Sequence, residues 1–264
     1  DELKGWLTQR RRAFEPAARA FGLPAPKGVL MVGVQGCGKS LAAKAAAGFW
    51  GIPLLRLDLS ALFSGGHAPD AALREALATA RAMSPCVLWL DEIEKGFADG
   101  GADSTRMLGS LLTWLQEKKE PVFFVATANQ VRALPPELLR RGRFDEVFFV
   151  DLPDDTDRHE ILTIHVNAHG RDPAAYDLSS IVDLTRHFSG AELEQVVVAG
   201  LQAAFAEDRE LTTRDLTVAA RQLVPLFRLY ETEIKALRTW ARDRARPAGK
   251  VRTHLQHFAR KTPE

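Results

Sequence analysis

The chain has 264 residues, 46% hydrophobic and 26% charged, with a formal charge of +1. That is enough chain for one large domain or two modest ones, and the balance excludes a disordered or strongly nucleic-acid-binding protein. Two cysteines without metal-ligand spacing, Cys37 and Cys86, exclude a disulfide scaffold and point to a reducing, cytoplasmic setting, and no apolar run is long enough to imply a membrane.

The first stretch, "DELKGWLTQRRRAF", is amphipathic and helix-like, so residues 1–21 read as a linker helix, and its abrupt start is expected of a piece of something longer. "GLPAPKG" (22–28) is a loop. "VLMVG" (29–33) is a short apolar run that ends in a Gly-rich loop, and "KSLAAKAAAGFW" (39–50), rich in helix formers, follows. Strand-like runs recur at 54–58, 86–90, 122–128 and 147–150, with helix-like segments near 70–83 and 104–119. This alternation predicts an α/β domain over 1–152, a parallel sheet covered on both faces.

Past Asp151 the strands stop. Helical stretches follow near 155–168, 178–187, 190–207 and 213–223, with a longer basic helical region after Pro225. Residues 153–264 are therefore expected to form a small all-α domain with a basic helical extension. Ser189 followed by Glu192 is a capping box for the third of these helices. Residues 228–264 hold ten Lys or Arg against four Asp or Glu, but Leu237, Trp240 and Phe258 interleave with them. A solvated helical face fits this better than a nucleic-acid site, so nucleic acid is not expected as a partner.

"GVQGCGKS" (33–40) satisfies G-x-x-x-x-G-K-[ST] between a strand and a helix, the context that a phosphate loop needs. The glycines let backbone N–H groups curl around phosphates, Lys39 supplies a positive charge, and Ser40 offers a hydroxyl to Mg²⁺. "CVLWLDE" (86–92) ends a buried strand with two carboxylates, where a parallel sheet opens its ligand crevice. Asp91 would orient Mg²⁺ and Glu92 would polarise an attacking water. Such a Glu favours hydrolysis over phosphoryl transfer to a substrate hydroxyl. Isolated DE pairs are commonly surface acids, but here the pair follows a phosphate loop in the correct order. "VFFVATAN" (122–129) ends in Asn129, whose amide can hold the same water or the γ-phosphate. "LLRRGRFDE" (138–146) sets arginines around a glycine at the domain edge, where they can reach a neighbouring subunit.

Together with "FSGAEL" (188–193), these segments resemble the AAA branch of the AAA+ ATPases across roughly residues 22–224. The resemblance implies a P-loop NTPase, a three-layer α/β/α sheet domain followed by an all-α lid, with ATP and Mg²⁺ as cofactors. It implies that Gly36, Cys37, Gly38, Lys39, Ser40 and Leu41 hold phosphate and metal, and that Asp91 and Glu92 are the Walker B pair. Asn129 becomes sensor 1, Arg140 and Arg143 the arginine fingers, and Gly190 and Ala191 the backbone sensor-2 contact. His165 in "EILTIH" matches the histidine near adenine and ribose, and Leu23 the segment lining the adenine pocket. Longer stretches such as "GLPAPKGVLMVGVQGCGKS" and "SPCVLWLDEIEK" are similar to the hypothetical chloroplast open reading frame AAA+ proteins of cyanobacteria and plastids, and to their bacterial relatives.

The leading expectation is an ATP-hydrolysing machine, a hexamer when active, that remodels a protein partner. Val34, Gln35, Gly36 and Cys37 stand where Pro-Pro-Gly-Thr is common, and Ser40 replaces Thr, but the lysine, hydroxyl and glycines remain. The expected pore loop, "LFSGGHAPD" (62–70), is short on apolar grip. This leaves open a nucleotide-gated binding module with little turnover, and a nucleic-acid remodeller is the third reading. The position of Cys37 at a helix N-terminus predicts a lowered thiol pKa and sensitivity to oxidation.

Overall fold

The computed structural model describes residues 2–64, 68–97, 101–140 and 142–249. Two compact units emerge. One comprises Asp1–Val32, Ser40–Val150 and the chain from Ala241 onward; the other comprises Gly33–Lys39 with Asp151–Trp240.

The first unit begins with α1 (Glu2–Gln9) and α2 (Pro16–Ala20) and then alternates: β1 (Gly28–Gly33), α3 (Lys39–Trp50), β2 (Leu54–Leu57), α4 (Leu59–Ser64), α5 (Pro69–Ala82), β3 (Cys86–Leu90), α6 (Ala102–Glu117), β4 (Val122–Ala128) and β5 (Glu146–Val150). A two-residue strand, β6 (Arg246–Pro247), completes a parallel six-stranded sheet in the order β2-β3-β4-β1-β5-β6. Every residue of β1, β3 and β4 is buried. Strands covered on both faces carry continuous apolar runs in place of alternation, and the sequence signals of these three strands arise that way. The register pairs Met31 with Thr127 and Leu90 with Ala126, so the carboxyl ends of β1, β3 and β4 lie along one edge.

On one face Trp6 and Trp50 pack against Phe123, with Trp50 edge-on at 4.7 Å, and Trp6 meets Phe148 edge-on at 5.9 Å. The linker helix expected at 1–21 is thus two short helices, and the first is buried through Trp6 and Leu7 as part of the sheet unit's core. At Gly28 an added Cβ would lie 2.0 Å from the Phe124 carbonyl oxygen, so only glycine lets β1 start against β4.

The second unit contains α7 (Asp155–Ala168), α8 (Leu178–Leu184), α9 (Gly190–Ala206), α10 (Thr213–Gln222), α11 (Leu226–Leu229) and most of α12 (Glu231–Arg242). Leu162, Val166, Leu193, Val196, Val197 and Leu216 form its core. Capping boxes start α7 (Asp154 with Asp157), α9 (Ser189 with Glu192) and α10 (Thr212 with Asp215).

Among the described residues the helical region expected after Pro225 does not run as a single helix. The segment breaks into α11 and α12, and from Ala241 the chain groups with the sheet unit instead of the helical one. The cause is an open sheet edge, whose unpaired backbone groups need partners. Ala248 N–H donates to Phe149 O at 2.9 Å, Leu3 N–H donates to Ala248 O at 3.1 Å, and Arg246 pairs with Glu2. Residues 250–264 of the basic tail, and 65–67 of the expected pore loop, lie outside the described residues. No helix among the described residues is long and apolar enough to cross a membrane.

Candidate functional site

Four expected residues of the sheet unit come together at the carboxyl ends of β3 and β4 and the start of α3. Ser40 Oγ donates to Asp91 Oδ1 at 2.9 Å. Thr127 Oγ1 donates to the same oxygen at 2.6 Å and accepts the Glu92 backbone N–H at 2.9 Å. Asn129 Nδ2 donates to Glu92 Oε1 at 2.8 Å, while Lys95 forms an ion pair with Glu92 Oε2. Both oxygens of the glutamate are thereby engaged. Glu92 has φ 49°, a left-handed backbone for a residue with a Cβ, which turns it out of the strand direction. Arg56 of β2 lies 4.0 Å from Asp91 Oδ2 and 5.0 Å over the Trp89 ring.

The donor set suits a small hard cation. Ser40 and Asp91 present a hydroxyl and a carboxylate oxygen to one point, the type of ligand Mg²⁺ takes, with room in its shell for phosphate oxygens and water.

The loop Gly33–Lys39 belongs by its contacts to the helical unit. Gly36 (φ 75°) and Gly38 (φ 87°) hold left-handed backbone, as a curled phosphate loop requires. Lys39 is 6% exposed, and its Nζ donates to Gly33 O and Val34 O at 3.0 and 2.8 Å. The Ala191 N–H donates to Gly36 O at 3.0 Å, and an added Cβ on Gly36 would lie 2.9 Å from Ser189 Oγ. Gly190 and Ala191 therefore meet the phosphate loop through the backbone at the N-terminus of α9. His165 on α7 is half-buried, with Nδ1 3.9 Å from Glu194 Oε1 of α9.

The lowered Cys37 pKa expected from the helix N-terminus is not found. Burial pushes the thiol up to about 12, outweighing the attraction of nearby Lys39. A thiol in that state is protonated at neutral pH and a poor nucleophile, so the sequence argument for redox sensitivity fails.

Among the described residues' hydrogen bonds and ion pairs, none joins Arg140 or Arg143 to these carboxylates. Arg140 is exposed, and Arg143 is half-buried with Nη1 lacking a hydrogen-bond partner among the described residues. The loop that carries Arg143 is pinned to the start of β1. Asp145 Oδ2 accepts the Lys27 and Gly28 N–H groups at 2.7 and 3.0 Å, Asp145 N–H donates to Gly28 O at 2.8 Å, and Lys27 Nζ donates to Gly142 O at 2.7 Å. That is the amino end of β1, where Gly28 stands level with Phe124 and Leu88, whereas Asp91 lies three residues beyond Leu88 toward the carboxyl edge, about 10 Å along the strands at a rise of ~3.3 Å per residue. Leu23 and Leu41 are exposed, at 49% and 62%.

Sequence reasoning passed over Thr127, Lys95 and Glu94. Thr127 was findable: it precedes Asn129 by two, the spacing that places strand residues on one face. Glu94 is 6% exposed and accepts the Asn129 N–H at 2.8 Å.

Comparison with known proteins agrees with these features. The family model described as ATPase family associated with various cellular activities (AAA) matches residues 29–152. The AAA domain-containing protein ycf46 of Pyropia yezoensis is 46% identical over 258 residues, 94% of this chain and 52% of its own length. That of Guillardia theta is 44% identical over 261 residues, 96% of this chain and 50% of its own. The ATP-dependent zinc metalloprotease FtsH of Bacillus subtilis is 33% identical over 236 residues, 84% of this chain and 36% of its own. The chain thus spans about half the length of the ycf46 relatives. A crystal structure of the FIGL-1 AAA domain in complex with ADP shares the fold, with TM-score 0.76 at 22% identity over 93% of this chain and 88% of that one. A family match running from the first strand of the sheet to the threshold of the helical unit, with relatives aligned over more than nine-tenths of the chain, places this chain in the AAA family of ATPases.

Proposed function

We propose that this chain hydrolyses ATP to ADP and phosphate and uses the cycle to remodel a protein partner, as part of a ring, a hexamer when active. One observation carries the hydrolytic reading: Ser40, Asp91, Thr127, Glu92 and Asn129 are joined by hydrogen bonds at the carboxyl edge of a parallel sheet. Ser40 and Asp91 hold Mg²⁺, which when bound neutralises charge on the phosphate oxygens. Lys39 and the backbone of the glycine loop grip the phosphates. Glu92 accepts a proton from the attacking water, and Asn129 fixes the direction in which the carboxylate points. Gly190 and Ala191 feel the nucleotide through Gly36, and His165 lies beside the base and ribose.

The ring is supported by where the arginines sit. Arg143 lies in the loop pinned to the amino end of β1, away from the Asp91 and Glu92 of its own sheet, which favours a neighbour's γ-phosphate as its target and, with it, that of Arg140 a few residues earlier. An arginine supplied in this way contributes ~10³–10⁵ in rate.

ATP turnover measured against protein concentration, for wild type and Glu92→Gln, tests this reading. Specific activity that rises with concentration in wild type, and vanishes in Glu92→Gln while ATP still binds, is the expected result. Undiminished turnover in Glu92→Gln removes the water-activating role. Binding without turnover in wild type at any concentration supports a nucleotide-gated assembly module instead.

A further inference from the structure

We infer that Glu94 is a positioning residue for hydrolysis: its buried carboxylate fixes the backbone of Asn129 so that the Asn129 amide meets Glu92. The inference rests on the ATPase reading above and assigns a part within it to a residue to which the resemblance gave no role.

Glu94 belongs to a 3₁₀ turn, Ile93–Phe97, that follows Glu92 directly. Its Oε1 accepts the backbone N–H of Asn129 at 2.8 Å and of Gln130 at 3.4 Å. Oε2 is buried and has no hydrogen-bond partner among the described residues. Burying a carboxylate with one oxygen unsatisfied is costly, and an aliphatic side chain would fill the same volume without that cost. What the carboxylate adds is an acceptor for two N–H groups just past the end of β4, where the ladder with β3 has ended. The backbone so held carries the Asn129 side chain, whose Nδ2 lies 2.8 Å from Glu92 Oε1. Glu92, Glu94 and Asn129 therefore form a closed circuit in which one turn of chain sets both members of the Glu92–Asn129 contact. The turn is seated tightly: an added Cβ on Gly96 would come within 2.6 Å of the Leu59 side chain. Loosening it by a fraction of an ångström would leave nucleotide binding in place and misalign the group that meets the water.

The test compares steady-state ATPase kinetics and nucleotide affinity of wild type, Glu94→Met, Glu94→Gln, Asn129→Ala and the double variant Glu94→Met/Asn129→Ala. Met keeps the volume and removes the acceptor. Gln keeps an acceptor oxygen, and its NH₂ takes the place of an oxygen that already lacks a partner. Glu94→Met lowers kcat at least about ten-fold with KM and ATP affinity within about two-fold of wild type, and Glu94→Gln restores kcat to within about three-fold. In the Asn129→Ala background Glu94→Met adds little further loss, because the group it positions is gone.

Turnover by Glu94→Met within two-fold of wild type overturns the inference. So do equal losses in kcat and affinity, or losses that add in full in the double variant, since these mark a merely structural role. Should Glu94→Met fail to fold, Glu94→Asp carries the test. It keeps the charge and draws the acceptor back by one methylene, and unchanged kcat there overturns the inference too. An inactive wild type removes the ATPase reading and this inference with it, whereas an active wild type slowed by Asn129→Ala but not by Glu94→Met removes the inference alone.

Discussion

Glu92 holds its left-handed backbone, φ 49°, at a cost of order 1 kcal/mol, offset by bonds that converge on it from three residues. Two of these, from Thr127 and Asn129, orient it for water. The third, from Lys95, occupies the remaining oxygen and competes with that use. Lys95 is 61% exposed, so the pair is worth no more than ~1 kcal/mol, and Lys95→Ala is expected to raise kcat by at most about five-fold with KM unchanged. Single-turnover and steady-state assays check this, and a fall in kcat would mean that Lys95 supports the reaction. The pair itself was hidden in the sequence. Residues i and i+3 eclipse in a 3₁₀ turn, but nothing in "DEIEKGF" announces such a turn, so the sequence gives no sign that Glu94 and Lys95 meet the site. Asp91, Glu92 and Asn129 were legible because they end apolar runs, in the order that a phosphate-loop protein needs.

At the scale of elements, the helical unit is held at its helix starts as much as by its core. Asp215 shows the strongest case. It is 7% exposed, accepts two bonds from Arg209 at 2.7 Å each, and receives the Thr212 N–H and Oγ1 at 2.9 and 2.7 Å. The Arg209 guanidinium, followed by the Thr212 donors, holds this carboxyl far below the usual carboxylate range. A depressed folded-state pKa contributes stability that is complete above the unfolded value, near 4, and lost as pH falls from there toward the folded value. Asp215→Asn is therefore expected to cost about 1.5–3 kcal/mol at pH 7 and progressively less below pH 4. Urea denaturation of both proteins at pH 7 and pH 3 measures it, and an equal difference at the two pH values would sink the electrostatic account.

The cap at Ser189 and Glu192 was readable because it has the Ser-x-x-Glu form. Those at Asp154 and Thr212 carry Asp at the third helical position, which the usual signature omits. Strands β1, β3 and β4 were readable to within a residue or two because burial on both faces writes them as uninterrupted apolar runs, and the partly buried β2 and β5 because short runs of Leu or of Val and Phe mark them. Strand β6 was not. Two residues, one of them proline, have no period, and the strand exists only because the β5 edge is there to receive it.

For the whole molecule the decisive consequence of the proposed function is a site divided between copies. The sheet carries Ser40, Asp91 and Glu92 at its carboxyl edge and the Arg143 loop at the amino end of β1, and a head-to-tail ring is the symmetry that brings one copy's Arg143 loop to the next copy's carboxyl edge. This arrangement makes a complementation experiment quantitative. Glu92→Gln lacks the water-activating carboxylate but keeps its arginines, and Arg143→Ala keeps the carboxylate but lacks an arginine for its neighbour. Each alone is expected to lose at least ~10²-fold in turnover, the conservative side of the arginine-finger range. Mixed in equal amounts and allowed to exchange subunits, they assemble at random, and a complete site forms wherever an Arg143→Ala copy supplies the carboxylate and a Glu92→Gln copy lies on the side that supplies the arginine. Half of the copies meet the first condition and half of their neighbours the second, so the mixture recovers about one quarter of wild-type turnover per subunit. Arginines acting within their own subunit would give a mixture no more active than the average of its two components. The two outcomes differ by more than ten-fold, and a coupled ATPase assay at a concentration where wild type is fully active separates them.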